Sequence, residues 1–251
     1  MSDADARKRS ILESMRGLIV SCQVQKDDPT YTDDFVVKMA QAAQWGGAAA
    51  IRANTPEQIR KIKAAVDLPV IGLYKIWSPT TSVFITPTLE AATQVWEAGA
   101  DVVALDCTFQ ITDDGHRACD LLPIVKEALP EALTFADVSN YAEAKHAVEL
   151  GADIVGPTLR GYTPETAHIE DADYREFARM CRDLGGDVAL IMEGHIYTPE
   201  DAMKAIYLGA HAVVVGSAIT RPHLITKRFT DLLGRYRTDW REAERSSHPN
   251  A

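Results

Sequence analysis

The chain has 251 residues, 46% of them hydrophobic and 25% charged, which is ordinary soluble globular composition with enough length for a sizeable core. A formal net charge of −10 argues against a nucleic-acid or anionic-membrane surface as partner. The four cysteines (Cys22, Cys107, Cys119, Cys181) are scattered without a CxxC pair, so they read as reduced thiols of a cytoplasmic protein, not a disulfide framework or zinc site.

The opening "MSDADARKRS" is polar and lacks the apolar core of a signal peptide, and residues 1–16 are expected to form an extra helix. No apolar run approaches the roughly 20 residues that cross a bilayer. Strands are then expected at "GLIVSCQ" (17–23), in "QWGGAAAIRA" (44–53), at "LPVIGLYK" (68–75) and in "EAGADVVALD" (97–106). Four more follow at "ALTFADV" (132–138), in "ELGADIVGPT" (149–158), at "DVALIME" (187–193) and in "YLGAHAVVVG" (207–216). The even-numbered members are copies of one phrase, a helix end closed by glycine and followed by a short apolar strand. Their glycines, Gly46, Gly99, Gly151 and Gly209, stand 53, 52 and 58 residues apart. Each is the expected left-handed C-cap.

Helices fill the gaps. Three carry a threonine–proline start signal, "TPEQ" (55–58), "TPTLEAA" (86–92) and "TPED" (198–201). Ala144, Ala147, Val148 and Leu150 show the three-and-four spacing of an amphipathic helix. Strands apolar throughout, alternating with such helices, imply a parallel sheet covered by helices. Eight strands and eight helices with a repeat of about 50 residues fit a (β/α)8 TIM barrel, whose usual size is ~250 residues. A doubly wound sheet is the alternative, and the fourfold periodicity favours closure. One barrel domain is expected over residues 17–238, with residues 239–251 as a C-terminal tail.

In such barrels the carboxyl ends of the strands build the site. The apolar runs end on Gln23, Arg52, Lys75, Asp106, Asp137, Thr158 and Glu193, so these polar groups are expected to converge on one face. Each also has a structural reading. Lys75 and Glu193 can be rim ion-pair partners, Arg52 can cap helix carbonyls, and Asp106 or Asp137 can N-cap the next helix. Cys107 reads as a packing residue and His195 as a weak general-base candidate. After strands 7 and 8 come "EGHI" and "GSAITRP", with Gly194, Gly216, Ser217 and Arg221. Phosphate-binding barrels hold their anion there on backbone N–H groups, and Arg221 can add a charge-assisted fork. The other reading is a glycine turn into the last helix. No metal set, nucleophile elbow or dinucleotide fingerprint stands out.

The phrases "IRANTPEQI", "VIGLYK", "VFITPTLEAATQVWEAGADVVALD", "ADVSNYAEAKHAVELGAD", "TLRGYTPET" and "GSAITRPHLITKRF" occur in order over residues 17–233. Together they resemble the bacterial N-acetylmannosamine-6-phosphate 2-epimerases. The resemblance implies a phosphate-binding (β/α)8 barrel that interconverts N-acetylmannosamine 6-phosphate and N-acetylglucosamine 6-phosphate in sialic acid breakdown, with no metal or cofactor. Family positions fall on Gln23, Arg52, Lys75, Asp137, Glu193 and Arg221. Lys75 and Glu193 correspond to the proton-transfer residues, and the arginines with the Gly194 and Gly216 loops to the phosphate contacts. A homodimer is expected by the same resemblance.

Departures fall in substrate-facing loops. "LDCTFQITDDGHRACD" carries Cys107 for alanine and Gln110 where arginine is usual, Pro157 and Arg160 replace smaller residues, and His195 stands for arginine. "IWSPTTSVFITPT" lacks the usual acidic residues. Two rivals remain open: a Schiff-base aldolase with Lys75 as nucleophile, and a non-catalytic sugar-phosphate-binding barrel.

Overall fold

The computed structural model describes residues 3–24, 28 and 30–247. Helix α1 (Asp3–Ser14) precedes β1 (Gly17–Cys22), α2 (Asp33–Trp45), β2 (Ala50–Asn54), α3 (Pro56–Lys63), β3 (Val70–Leu73), α4 (Leu89–Glu97) and β4 (Val102–Asp106). The second half comprises α5 (Leu121–Ala128), β5 (Leu133–Asp137), α6 (Tyr141–Glu149), β6 (Ile154–Gly156), α7 (Tyr174–Leu184), β7 (Ala189–Glu193), α8 (Pro199–Tyr207) and β8 (Ala212–Val215). A single turn, α9 (Ser217–Thr220), leads into α10 (Pro222–Ser247). All neighbouring strands pair parallel, and β8 returns to β1 with Gly17 opposite Ala212, so the sheet closes into a (β/α)8 barrel.

Alternation along each strand sorts the side chains into two cores. Val20, Ile51, Val103, Leu105, Val155, Leu190 and Val213 point outward beneath the helices. Ile19, Ala50, Ile71, Leu73, Phe135, Ile154, Ile191 and Val214 fill the interior. This is why the strands read as apolar throughout. Met15, with Ile11 and Leu12 of α1, packs against the interior core where β1 begins. His211, just before β8, has its Nε2 2.7 Å from the Leu12 carbonyl, so α1 lies against the amino-terminal end of the barrel.

Three local details differ from the sequence reading. At the first repeat the left-handed residue is Gly47 (φ 87°), whereas Gly46 stays right-handed at φ −75°. Gly99, Gly151 and Gly209 are left-handed as expected. The cap of α4 is Thr88, whose side chain accepts from Ala91 N, two residues after the Thr86 read from "TPTLEAA". Thr86 is instead buried at φ 47° and its hydroxyl accepts from Tyr74 N at 3.0 Å. Finally, α10 continues to Ser247, past residue 238 where the barrel domain was expected to end.

Gly156 shows how tightly the interior is filled. A Cβ there would stand 2.7 Å from Phe135 Cζ and 2.8 Å from the Ile191 carbonyl oxygen, too close for any side chain. Gly156→Ala should therefore destabilise the barrel by about 1–3 kcal/mol, the usual cost of overpacking, read as a lower urea midpoint at unchanged slope. An unchanged midpoint would mean that Phe135 moves freely.

Candidate active site

Parity explains the central residue of the site. Within β2, Ile51 faces out while Ala50 and Arg52 face in, and Arg52 is in register with Ser21 on β1 and Ile71 on β3. The run read as ending on Arg52 continues to Asn54, so this arginine is an interior residue with 1% exposure and caps no helix. A buried guanidinium needs partners. Its Nη2 donates to Asp137 Oδ2 at 2.7 Å and its Nη1 to Glu193 Oε2 at 2.5 Å. Its Cζ lies 4.9 Å from the Phe135 ring centroid, a cation–π contact with the top of the interior core. The Thr158 hydroxyl donates to Asp137 Oδ1 and lies 3.3 Å from Glu193 Oε2.

Above this network, at the carboxyl ends of the strands, lies a cavity of about 510 Å3. Its walls include Gln23, Arg52, Lys75, Thr158, Glu193, Gly194, Gly216, Ser217 and Arg221. The structure thus brings together nine of the eleven expected site residues around one cavity. Of the other two, Asp137 is fully buried behind Arg52 and Thr158, and Asp106 is not on the wall. Lys75 lies two residues past β3, where an antiparallel bridge to Ile85 and a 2.9 Å bond from its N–H to Asn54 Oδ1 fix its backbone. Gln23 donates from Nε2 to Ser21 Oγ at 3.0 Å, and its Oε1 is buried with no hydrogen-bond partner among the described residues.

Other candidates are elsewhere. Asp106 ends β4 but lies outside the cavity wall, held by the Thr108 N–H at 3.0 Å and hydroxyl at 2.7 Å. Neither it nor Asp137 caps the next helix, since Asn140 caps α6 and Asp120 precedes α5. Cys107 is fully buried in the outer core. His195 lines the cavity at φ 57°, a strained conformation for a non-glycine residue, with its ring against Tyr162. Arg160 turns away from the cavity and pairs with Asp173 at 2.6 Å and Glu176 at 2.7 Å. Sequence reasoning missed Ser21, Trp77, Phe84, Tyr162 and Tyr197 on the cavity wall. Only Ser21 carried a signal, its place two residues before Gln23 on the same face of the first strand; the rest depend on loop paths.

Burial and neighbouring charge set the protonation of the two central groups. Burial, then the Arg52 charge, lowers the Lys75 ammonium to about 8; Arg221 adds to this, while Glu193 and Asp137 oppose it. Burial raises Glu193 to about 7, Asp137 pushes the same way, and Arg52, the Thr158 hydroxyl and Lys75 oppose. Arg52 itself is desolvated, yet its two carboxylate partners outweigh that and raise its pKa, so it stays charged. An amine and a carboxyl group that both titrate near neutrality in one cavity can accept and return protons.

A closed (β/α)8 barrel with a polar cavity at the carboxyl ends of its strands has the architecture of the barrel enzymes. The particular family follows from comparison. A family model described as "Putative N-acetylmannosamine-6-phosphate epimerase" matches residues 36–235, and the chain belongs to this family. A relative from Caldanaerobacter subterraneus subsp. tengcongensis, named "Putative N-acetylmannosamine-6-phosphate 2-epimerase", is 46% identical over 217 residues, covering 86% of this chain and 91% of the relative. One of the same name from Listeria monocytogenes is 40% identical over 225 residues, covering 88% and 96%. The solved N-acetylmannosamine-6-phosphate 2-epimerase from Clostridium perfringens superposes with a TM-score of 0.83 at 36% identity, over 88% of this chain and 96% of that one. A Pyrococcus furiosus thiamine phosphate pyrophosphorylase, 16% identical with a TM-score of 0.57 over 84% of this chain and 89% of its own, shares the fold.

Removing the buried cation tests the network. Arg52→Met leaves two carboxyl groups in a desolvated site, which should cost about 3–5 kcal/mol at pH 8. Without Arg52 the folded-state pKa of Glu193, already raised by burial, lies still further above its unfolded value. The variant's stability is then greatest below the unfolded pKa and is lost as pH rises through the folded one, so the deficit should shrink toward pH 5. Urea unfolding at both pH values reads this. An equal deficit at each would assign the arginine's contribution to packing on Phe135.

Proposed function

We propose that this chain epimerises C2 of N-acetylmannosamine 6-phosphate to give N-acetylglucosamine 6-phosphate by deprotonation and reprotonation, in sialic acid and amino-sugar breakdown in the cytoplasm. The observation that carries the reading is Lys75 and Glu193, each shifted toward neutrality, in one cavity beside the buried Arg52 cation.

Inverting C2 of the open-chain sugar requires removing a proton next to the C1 aldehyde and returning one to the opposite face. Lys75, part neutral because burial and Arg52 lower its pKa, is the proposed base. Glu193, part protonated at neutral pH, is the proposed acid in the mannose-to-glucose direction. Each positioned group supplies roughly 10²–10⁴-fold. Arg52 stabilises the enolate oxygen, with Asp137 and Thr158 holding it in place; Gln23 lines the cavity beside Ser21 as a contact for a sugar hydroxyl. Gly194, Gly216, Ser217 and Arg221 hold the 6-phosphate and convert its binding energy into alignment of C2. Side chains supply every proton in this scheme, so neither metal nor cofactor enters it, and enzyme treated with EDTA should retain its rate.

A second reading rests on one contact. Glu193 Oε2 already accepts from Arg52 at 2.5 Å and lies 3.3 Å from the Thr158 hydroxyl, which suits an orienting carboxylate and leaves Lys75 to serve both faces. Proton NMR of N-acetylmannosamine 6-phosphate in deuterated buffer separates these. Wild type should form the glucosamine epimer with deuterium at C2, and Lys75→Ala should lose conversion entirely. Under the two-group scheme Glu193→Gln still exchanges C2 hydrogen without inversion, whereas under the single-base scheme exchange and inversion slow together. Binding without exchange would favour a sugar-phosphate sensor, and an imine on Lys75 trapped by borohydride would favour an aldolase.

The pH dependence follows from the two values. In the mannose-to-glucose direction the reactive form has Lys75 neutral and Glu193 protonated. Lysine protonation removes it as pH falls, and glutamate ionisation removes it as pH rises. A plot of kcat/KM should therefore be a bell with limbs near 7 and 8 and a maximum between them. A flat profile between pH 6 and 9 would remove both groups from the reaction.

The chain is proposed to act as a homodimer. Phe229, Leu232 and Leu233 of α10 are 66%, 70% and 59% exposed, an apolar face suited to a second copy. Light scattering should give twice the chain mass, and Leu232→Glu with Leu233→Glu should give the monomer mass.

A further inference from the structure

The loop between β3 and α4 carries an aromatic pair that the proposed reaction does not use. Trp77 and Phe84 stack with ring centroids 4.2 Å apart and planes inclined by 12°, and both line the cavity that holds Lys75. Phe84 packs on the interior core of the barrel, whereas Trp77 is 67% exposed. A large ring held flat on another, with much of its surface still open at a cavity wall, is a preformed apolar contact surface.

The loop is held in place by its own chemistry. Beyond the Lys75–Ile85 bridge, Ile76 N donates to the Phe84 carbonyl at 3.0 Å. Ser78 Oγ donates to Asp113 Oδ1 at 3.0 Å, the Thr80 hydroxyl binds the same oxygen, and Thr81 Oγ1 donates to the Ile111 carbonyl at 2.5 Å. Ser82 Oγ donates to Gln110 Oε1 at 3.3 Å, and Gln110 Nε2 in turn donates to Glu165 Oε2 at 2.8 Å. Three loops at the barrel mouth are thus clasped together, and Trp77 is carried at a set position.

Topology says what that surface meets. In the closed order β1 to β8, β3 stands across the barrel from β7. Gly194, Gly216, Ser217 and Arg221 follow β7 and β8. A 2-acylamino sugar with its 6-phosphate on those residues has one apolar group, its acyl chain, and the stack offers that group an apolar surface on the far side of the cavity. We infer that the Trp77–Phe84 stack is the contact surface for the N-acyl group, and that its openness at the rim admits apolar acyl chains longer than acetyl. This inference rests on the reading of the substrate given above and extends it to N-acylhexosamine 6-phosphates whose acyl chain is longer than acetyl. Each methylene moved from water onto the stack corresponds to roughly a fourfold gain in affinity.

Calorimetric binding of N-acetyl- and N-butanoylglucosamine 6-phosphate to wild type, Trp77→Ala and Trp77→Phe tests it without relying on turnover. Wild type should bind the butanoyl compound at least as tightly as the acetyl one. The butanoyl-to-acetyl affinity ratio should fall about tenfold in Trp77→Ala, for two methylenes incompletely covered, and be mostly kept in Trp77→Phe. Exclusion of the butanoyl compound by wild type, or a ratio unchanged in Trp77→Ala, overturns the inference. Failure of wild type to exchange C2 while these ratios hold overturns the epimerase reading alone, and binding of neither compound overturns both.

Discussion

The site depends on one buried cation. Arg52 sits inside the barrel with 1% exposure, and a charge placed there is tolerable only because Asp137 and Glu193 meet it at 2.7 and 2.5 Å and Phe135 lies beneath it. The same guanidinium lowers the pKa of Lys75 and opposes the rise of Glu193. One residue therefore joins the top of the apolar core to the floor of the cavity. Breaking its pairs would expose the interior to an uncompensated charge and shift both titrating groups at once.

Below Arg52 the interior is wholly apolar, with Ile19, Ile71, Phe135, Ile154 and Ile191 packed to the point that Gly156 has no room for a side chain. Above it the strands end and polar groups take over. This vertical division is a consequence of barrel geometry: inward positions near the strand centres meet only one another, while those near the carboxyl ends meet solvent and loops. The lining of the upper half is then shaped by loops of different character. Those after β7 and β8 bring Gly194, Gly216, Ser217 and Arg221 to the wall, and the one after β3 brings stacked aromatic rings, so the cavity has a cationic side and an aromatic side.

Legibility in the sequence tracked the range of the interactions involved. The eight strands were readable because each is a short apolar run bounded by glycine or polar residues, and the repeat at Gly99, Gly151 and Gly209 marked left-handed helix ends. Where two glycines adjoined, as at Gly46 and Gly47, the pattern alone did not say which would turn, since either can take the conformation. Thr86 carried the letter signature of a helix cap but is buried with its hydroxyl bound by the Tyr74 N–H, and Thr88 caps α4 in its place.

The sequence by itself determined the barrel, its strands and most of the polar residues at its mouth, because alternation, capping and repeat length are local properties of the chain. It could not say that Arg52 lies within the interior and not at a strand end, that Asp137 stands behind it out of the cavity, or that Asp106 takes no part in the wall. Those placements arise from register between strands and from closure of β8 onto β1, which bring residues 85 and 141 positions apart within hydrogen-bonding distance. The titration of Lys75 and Glu193 and the position of the Trp77–Phe84 stack were decided there as well, since burial and charge proximity exist only once the barrel has closed.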